Sequence, residues 1–383
     1  MPFSPDHFAP ADAALEARLS AIDIAAYGKT RNHLNGKVTR LSPYITHGFI
    51  SIPELFDQLP DLRLTDKLAF EFGWREFFHH VWSREGDRIL SDMRPGLPGV
   101  RYANQLPDDI REGRTGVAAI DRAVHQLYAT GYLHNHARMW LASYVVHLRK
   151  LHWRAGADWM FAHLLDGDLA SNHLSWQWVA ATFSSKPYLF NAENVARYAP
   201  ADWHCAGSAI DTSYEELERI AMSNETIAAS PSLVGAAEPE PVSAPPRLSP
   251  ASIPKAERIR LVHPWMLDDK PFDGLRVGVI HLPFHSTFRW SGLRWRFVMD
   301  RMSAVTDAVF VGDLNELKTM LSETTYVEST ATLNPGYREL LPESCTALAD
   351  APRRFGNPAR TCRSFSAFWA QCAGEQHERG WHR

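Results

Sequence analysis

The segment LLDGDLASNHLSWQWVAATF (residues 164–183) places two acids around one glycine and two tryptophans around one glutamine. Acids inside an apolar run need partners, because burying an unpaired charge costs free energy. The segment therefore indicates either a buried helix end or a pocket for an aromatic, redox-active ligand. The sequence on both sides has to distinguish between these two interpretations.

Helical periodicity dominates from about residue 12 to residue 198, where apolar residues recur at i, i+3, i+4 and i+7. Convincing alternating strands are missing from this half of the sequence. We therefore predict an all-helical domain over residues 1–222. The clearest repeats are IPELFDQL (52–59), LAFEFGWREFFHHVW (68–82), AAIDRAVHQLYATG (118–131), HARMWLASYVVHLRKL (136–151) and DWMFAHLLDG (158–167).

The pattern changes at residues 223–255, which contain seven prolines among many Ala and Ser residues and no aromatic residue. Such a composition predicts an extended, flexible linker. Beyond it, LRVGVIHLPF (275–284) and DAVFVGD (307–313) are typical of buried strands, and each precedes a helical pattern. Residues 256–383 are therefore predicted to form a small α/β domain with a parallel sheet, ending in a helix.

The composition excludes few classes of function. The formal net charge of −4 does not indicate a nucleic-acid binder, although a local basic groove remains compatible with it. The four cysteines show no metal-ligand spacing, so we expect free thiols and no metal site. The sequence shows no secretory signal and no apolar run long enough to cross a membrane, which predicts a cytoplasmic, reducing location.

Two helical faces combine charged and aromatic residues. Glu71, Trp74, Arg75 and Phe78 share one face, since they are spaced i, i+3, i+4 and i+7. A surface Glu71–Arg75 ion pair beside a half-buried tryptophan is the structural alternative to a ligand site there.

The second such face carries Asn135, Arg138 and Met139, a set that suits the edge of a planar heterocycle. Asp166 and Asp168 are able to accept hydrogen bonds from Arg138 or from the imide N–H of a ring such as flavin. The alternative is a capped helix start with Arg138 paired outward.

A possible phosphate site lies in VTRLSPYITHG (38–48), where hydroxyl groups and backbone amides precede a helix start. As an isolated pattern it is no more than a capping sequence.

Taken in order, these pieces resemble the FAD-binding catalytic domain of the photolyase/cryptochrome family. The resemblance is carried by TRLSPYITHGFIS, WREFF, EGRTG, TGYLHNHARM, DWMFAHLLDGDLASN and SWQW, and covers about residues 25–200. It implies an all-helical domain holding a folded FAD. In the family an antenna-type α/β domain precedes the helical domain, whereas here the α/β pattern follows it. Residues 256–383 are therefore expected to be a Rossmann-like domain, either a permuted or degenerate antenna-type domain or a piece kept only for packing.

The resemblance also implies the cofactor-binding residues. Arg138 and Asp166 match the ion pair beside the flavin ring, Asp168 matches an acid near its polar edge, and Asn172 matches the residue facing N5. Val38 departs from the hydroxyl residue usual at its position. The remaining implied cofactor-binding residues are Tyr27, Thr39, Arg40, Leu41, Ser42, Arg75 and Asn135.

On the substrate side, the resemblance points to the branch of the family that repairs cyclobutane pyrimidine dimers. The implied dimer-lining residues are Glu71, Trp74, Asn135, Met139 and Trp178. The implied catalytic residues are Glu71, Asn172 and two electron-transfer tryptophans, Trp176 and Trp153. The outer tryptophan of that chain aligns with Val100, and Tyr102, Trp82 and Trp159 are the candidate replacements.

Two functions follow from the resemblance. The first is light-driven repair of pyrimidine dimers in single- or double-stranded DNA, by electron transfer from photoexcited reduced FAD. The second is a cryptochrome-like blue-light receptor that has kept FAD and lost repair, which the interrupted tryptophan chain favours. The segment TFSSKPYLFNAEN (182–194) lacks an arginine that often contacts DNA in the family. The antenna chromophore and the oligomeric state are not indicated by the sequence.

Overall fold

The computed structural model describes residues 8–227, 235–245, 253–321 and 324–378, with side chains described up to residue 372. The helices are α1 (Asp12–Ser20), α2 (Ile24–Thr30), α3 (Ser42–Thr46), α4 (Ile52–Gln58), α5 (Lys67–Glu85), α6 (Asp108–Arg111), α7 (Ala118–Thr130), α8 (Asn135–Ser143), α9 (Trp153–His163), α10 (Leu169–Val179), α11 (Ala192–Tyr198), α12 (Tyr214–Ala221), α13 (Leu282–Thr287), α14 (Gly292–Val305), α15 (Leu314–Met320), α16 (Tyr337–Ser344) and α17 (Phe365–Glu378). The strands are β1 (Arg258–Val262), β2 (Leu275–His281), β3 (Ala308–Gly312), β4 (Tyr326–Thr330) and β5 (Ala347–Ala349).

The chain divides into two compact units. Among the described residues, unit 1 contains 22–38, 84–227 and 235–239, and unit 2 contains 8–21, 39–83, 240–245, 253–321 and 324–378. Helices dominate the described residues, and a five-stranded sheet is present as well, which confirms a helix-rich fold with a parallel α/β portion.

The core of unit 1 is built by the apolar stripes of α7 to α12. Ile120, Val124 and Leu127 are fully buried and follow the period of helix α7. A π-helical turn at Tyr144–Leu148 extends α8, and all five of its residues are buried. The helices predicted for residues 118–131, 136–151 and 158–167 are confirmed by α7, by α8 with its π-helical turn, and by α9.

Unit 2 contains the sheet, with strand order β3-β2-β1-β4-β5 and parallel pairing throughout. Registers include Leu261 opposite Val277 and Val279 opposite Phe310. Gly278 in β2 lets α14 approach closely, since a Cβ there would lie 2.6 Å from the Met302 sulfur. The predicted strands at 275–284 and 307–313 are confirmed, whereas β1, β4 and β5 were not predicted.

The predicted domain boundary needs correction, because residues 8–21 and 39–83 belong with the C-terminal sheet and not with the remaining helices. Contacts inside unit 2 give the reason. The buried Arg301 guanidinium donates to Asp12 (2.7 Å), and the His47 ring bonds to the Pro264 carbonyl (2.6 Å). Each contact joins an early helical residue to a late residue of the α/β portion.

The predicted linker is also corrected at residues 235–245, which are anchored by specific contacts. Glu238 accepts hydrogen bonds from Arg111 (2.5 Å) and His163 (3.0 Å) within unit 1. Val242 exchanges two backbone hydrogen bonds with Trp290 within unit 2. Burial raises the pKa of the Glu238 carboxyl, but the bonds from His163 and Arg111 outweigh it and leave that pKa below its usual range. Parts of the predicted linker, residues 228–234 and 246–252, lie outside the described residues.

Candidate functional site

A close approach of two chain segments builds the polar corner of unit 1. Gly131 ends α7 in the left-handed conformation (φ 64°), as glycine commonly does at this position. A Cβ at Gly131 would lie 2.6 Å from Leu165 Cγ, and the Leu165 N–H donates to the Gly131 carbonyl (2.8 Å). The glycine thus brings the turn before α8 against the acidic turn before α10.

Arg138 and Asp166 form an ion pair at this corner, as the sequence predicted. Arg138 Nη2 donates to both carboxylate oxygens, at 3.0 and 2.7 Å, and its Nε donates to the Leu133 carbonyl (2.9 Å). The Asp166 side chain is 4% exposed and that of Arg138 is 24% exposed. One edge of the guanidinium is therefore fixed by acceptors.

Asp168 and Asn172 lie at the start of α10, directly after this pair. Asp168 caps the helix by accepting from the Ser171 N–H (2.7 Å), which explains why the acid follows the glycine in the sequence. Asn172 donates its amide to the Ala157 carbonyl of α9 (2.9 Å), so its Oδ1 is the polar atom left to accept from a ligand. Both side chains are buried.

The two predicted electron-transfer tryptophans are buried in unit 1. Trp176 packs on Gly156, where a Cβ would lie 2.3 Å from the indole Cη2. Trp153 lies one helical turn from Gly156 and donates its indole N–H to Asp92 (2.6 Å). Asp92 was missed by the sequence reasoning, because the two residues are 61 positions apart.

Two of the candidates for the outer position of the electron-transfer chain belong to unit 1, and Tyr102 is the better placed. Its ring lies 6.5 Å from that of His152, which in turn lies 5.6 Å from that of Trp153. Burial, and then the Asp92 carboxylate, raise the pKa of Tyr102 to about 12. Trp159 instead donates its N–H to the Tyr128 hydroxyl (3.1 Å).

The neighbours Trp176 and Trp178 have opposite environments. Trp176 is 3% exposed, whereas Trp178 is 37% exposed, at the surface of unit 1. Gln177, between them, is fully buried and bonds to the Ile89 carbonyl (2.8 Å) and the Met93 N–H (2.9 Å). The glutamine is therefore structural, and it holds α10 so that one indole faces the core and the other the surface.

Asn135 and Met139 are adjacent on α8, as the spacing predicted. The Asn135 amide lies 3.5 Å from the Met139 sulfur, and Asn135 is exposed. The predicted substrate residues of unit 1 thus lie at its surface or only partly buried.

The predicted phosphate segment spans the boundary between the units, with Tyr27 and Val38 in unit 1 and Thr39 to Ser42 in unit 2. Arg40 adopts a left-handed backbone conformation (φ 53°), which is strained for a residue with a side chain. The Leu41 side chain is fully buried, so a phosphate contact at Leu41 would involve its backbone alone. The predicted helix start is confirmed by α3, which begins at Ser42.

Glu71, Trp74 and Arg75 belong to α5 in unit 2, and each is half-buried. Arg75 donates to the Thr46 hydroxyl (3.2 Å). Trp74 stacks on Phe365 of α17, with ring centroids 4.2 Å apart and planes inclined by 11°. Sequence reasoning missed this stacking, because no local pattern connects residues so far apart.

The polar corner of unit 1 fits a flavin. Arg138 of α8 supplies a guanidinium paired to Asp166, and the turn and helix that follow Asp166 supply a second buried carboxylate and an amide oxygen. A flavin edge carries both hydrogen-bond donors and acceptors, which these groups match. Asn172 and Asp168 are both held by backbone partners, so the corner is already shaped for a ligand.

Other classes of site have no support in the part of the chain that the structure describes. No group of three or more His, Cys, Asp or Glu residues there is arranged to hold a metal ion. The four cysteines are thiols that belong to no disulfide among the described residues, and Cys205, Cys362 and Cys372 are buried. Among the same residues, no helix is long and apolar enough to cross a membrane.

Comparisons with known proteins agree with the corner's chemistry. Residues 68–222 match the family model of the FAD binding domain of DNA photolyase. A deoxyribodipyrimidine photo-lyase of Streptomyces griseus is 36% identical over 162 residues, which are 42% of this chain and 36% of that protein. A cryptochrome DASH of Ostreococcus tauri is 30% identical over 210 residues, 51% of this chain and 37% of that protein.

A crystal structure of a Synechocystis cryptochrome aligns with a TM-score of 0.45 at 24% identity, covering 52% of this chain and 44% of that one. The chain spans little more than a third of the length of the two relatives named above. The predicted cofactor, FAD, is confirmed by the match to the family model. With that match and the flavin-compatible corner together, this chain carries a FAD-binding domain of the photolyase and cryptochrome family across residues 68–222.

Proposed function

We propose that this protein is a light-driven DNA repair flavoprotein that splits cyclobutane pyrimidine dimers. The observation that carries the proposal is the exposure of Trp178, which is 37% exposed on a helix whose other tryptophan is buried. An exposed indole is costly to leave in water, and a flipped base stacked on it would remove that surface from water. Proteins similar to this chain include deoxyribodipyrimidine photo-lyases.

The chain's own residues have three tasks in this proposal. Bound, reduced FAD supplies the light-excited electron for ring splitting. Arg138 and Asp166, with Asp168 and Asn172, orient the flavin edge, while Trp176 and Trp153 carry electrons towards it through the core of unit 1. Trp178 receives a face of the substrate.

The other predicted site residues complete the proposal. Asn135, Met139, Glu71 and Trp74 contact the dimer, and Arg75 contacts the flavin. The segment that includes Tyr27, Val38, Thr39, Arg40, Leu41 and Ser42 contacts the FAD phosphates. The substrate is DNA, and the location is cytoplasmic.

The proposal is tested by blue-light repair in the presence of a reductant. Protein loaded with FAD should restore thymine absorbance in an oligonucleotide that contains a dimer, measured on single and double strands. Trp178→Ala should weaken dimer binding roughly 5- to 150-fold, since stacking on one base contributes about 1–3 kcal/mol. Its FAD content should not change.

A matched control is Tyr214→Ala, because Tyr214 is an exposed aromatic residue of unit 1 (44%) outside the predicted pocket. That variant should bind the dimer as the wild type does. FAD-loaded protein that repairs neither strand type would refute the repair function.

The second candidate is a blue-light receptor that binds FAD without repair. The stacking of Trp74 on Phe365 favours it, because the ring of a predicted substrate residue is covered by the chain itself. Light-dependent change of flavin absorption without repair or dimer binding would support this candidate.

A further inference from the structure

The C-terminal helix α17 covers one face of α5, the face formed by Phe70, Gly73, Trp74 and Phe77, which we call the aromatic face. Besides the Trp74–Phe365 stack, the rings of Phe70 and Trp369 are stacked with centroids 4.6 Å apart. Phe77 contacts Phe368 at 5.7 Å. Three successive turns of α5 thus contact α17 through aromatic rings.

Gly73 gives the aromatic face its shape. It lies in the middle of a 19-residue helix, where glycine is destabilising relative to alanine. A Cβ at this position would lie 2.3 Å from Trp369 Cζ3. The lack of a side chain therefore lets the Trp369 indole lie on the α5 backbone, so α5 is fitted to receive α17.

Two buried polar residues of α5 hold the segment that leads into α17. Glu76 accepts from the backbone N–H groups of Arg354 (2.6 Å) and Phe355 (2.9 Å). His80 is fully buried, accepts from the Cys362 N–H (2.9 Å) at Nε2, and bonds to Asn357 Oδ1 (2.7 Å) at Nδ1. These contacts fix the path of residues 354–362 before the helix begins.

Trp74 is also one of the residues proposed above to contact the dimer, and its indole offers a surface on which a base stacks. At a centroid distance of 4.2 Å the Trp74 and Phe365 rings are in direct contact, so no base fits between them. A pyrimidine ring has the size and flatness of the Phe365 ring, and both stack on an indole through the same forces.

We propose that Phe365 and a substrate pyrimidine compete for the same face of Trp74. The α17 segment is then the resident occupant of the substrate-stacking surface, and substrate stacking on Trp74 requires Phe365 to leave. This inference rests on the proposed repair function, since it needs a substrate that stacks.

The test uses the full chain loaded with FAD and kept in the dark. Phe365→Ala should bind a dimer-containing oligonucleotide roughly 5- to 150-fold more tightly than the wild type, because stacking no longer has to displace a ring. Adding Trp74→Ala to this variant should remove the gain. Ser366→Ala, at an exposed position on the same helix, is the control and should change nothing.

A second variant moves α17 without altering either stacking ring. Gly73→Ala places a methyl group where Trp369 lies, and it should raise dimer affinity in the same direction. In the wild type, saturating dimer oligonucleotide should increase hydrogen exchange of the backbone amides of residues 366–372. An undamaged oligonucleotide should leave that exchange unchanged.

The inference is overturned if Phe365→Ala and Gly73→Ala bind the dimer no more tightly than the wild type. It is also overturned if the wild type binds the dimer with α17 exchange unchanged. If the wild type repairs dimers but gives either of these contradicting results, this inference is refuted and the repair function stands. If FAD-loaded wild type and both variants neither bind nor repair dimers, the repair function fails, and the inference fails with it.

Discussion

Replacing Arg138 by methionine tests the polar corner of unit 1 most directly. Methionine retains much of the apolar volume of the arginine side chain but removes both hydrogen bonds to Asp166, at 3.0 and 2.7 Å. The carboxylate, 4% exposed, then loses its guanidinium partner. Breaking a buried ion pair in this way costs about 3–5 kcal/mol. Because Arg138 itself is 24% exposed, we expect a smaller cost than for a fully buried pair, about 2–3 kcal/mol.

Replacing the other member of the pair, Asp166, should reduce the free energy of unfolding by less. Asp166→Asn keeps an acceptor for Arg138, whose guanidinium still reaches solvent and the Leu133 carbonyl, so we expect about 1 kcal/mol. In the double variant, the two effects should fall short of their sum by about 1–2 kcal/mol, since the residues share one interaction.

Urea denaturation of the FAD-free protein, followed by circular dichroism, measures these free energies of unfolding. Flavin retained after gel filtration gives a second readout, and Arg138→Met should lower it. A cost below about 1 kcal/mol for Arg138→Met, or strictly additive effects in the double variant, would refute the role given to this pair.

Three further predictions concern single residues. Gly156→Ala should destabilise the protein by about 1–3 kcal/mol, because its Cβ would overlap the Trp176 ring; an unchanged urea midpoint would contradict the packing. Trp176→Phe should slow photoreduction of FAD by external donors yet spare repair by chemically reduced protein, and normal photoreduction would exclude this electron path. Burial raises the pKa of the Glu76 carboxyl to about 7, although Arg353 and the hydrogen bonds from Arg354 and Phe355 lower it. Between about pH 4.5 and 7 the folded protein therefore keeps a proton on Glu76 that the unfolded chain has lost. From pH 4.5 to 7, the free energy of unfolding of the wild type should therefore fall by up to about 3 kcal/mol relative to that of Glu76→Gln, as measured by urea titrations. If the two proteins lose stability in parallel across this range, the shifted pKa is contradicted.

The sequence predicted those elements whose patterns are strong and local. The stripes of α7 and the apolar run of β2 give clear periods, and both elements are present. Strand β1 was missed because RIRLV mixes charged and apolar residues, and β5 because it has only three residues, mostly exposed. Strands this short are defined by pairing with their neighbours, as β1 pairs with β2 and β4, and not by their own sequence.

In the candidate site, too, local patterns were predicted and tertiary contacts were missed. The Arg138–Asp166 pair and the Asn135–Met139 contact followed from residue types at helical spacing, aided by the family resemblance. The Trp153–Asp92 bond and the Trp74–Phe365 stack depend on tertiary folding, which no local pattern encodes. Grouping residues 39–83 with the C-terminal sheet has the same origin.

The aromatic face of α5 has a consequence for synthesis of the chain. Phe70, Trp74 and Phe77 leave the ribosome roughly 290 residues before their partners on α17, about 15–60 s at common elongation rates. During that interval the buried core of unit 1, which is complete by Ile220, is able to form, while the aromatic face stays open to water. Nascent chains halted before Phe365 should therefore bind chaperones and aggregate through this face, and release of the last segment should end that vulnerability.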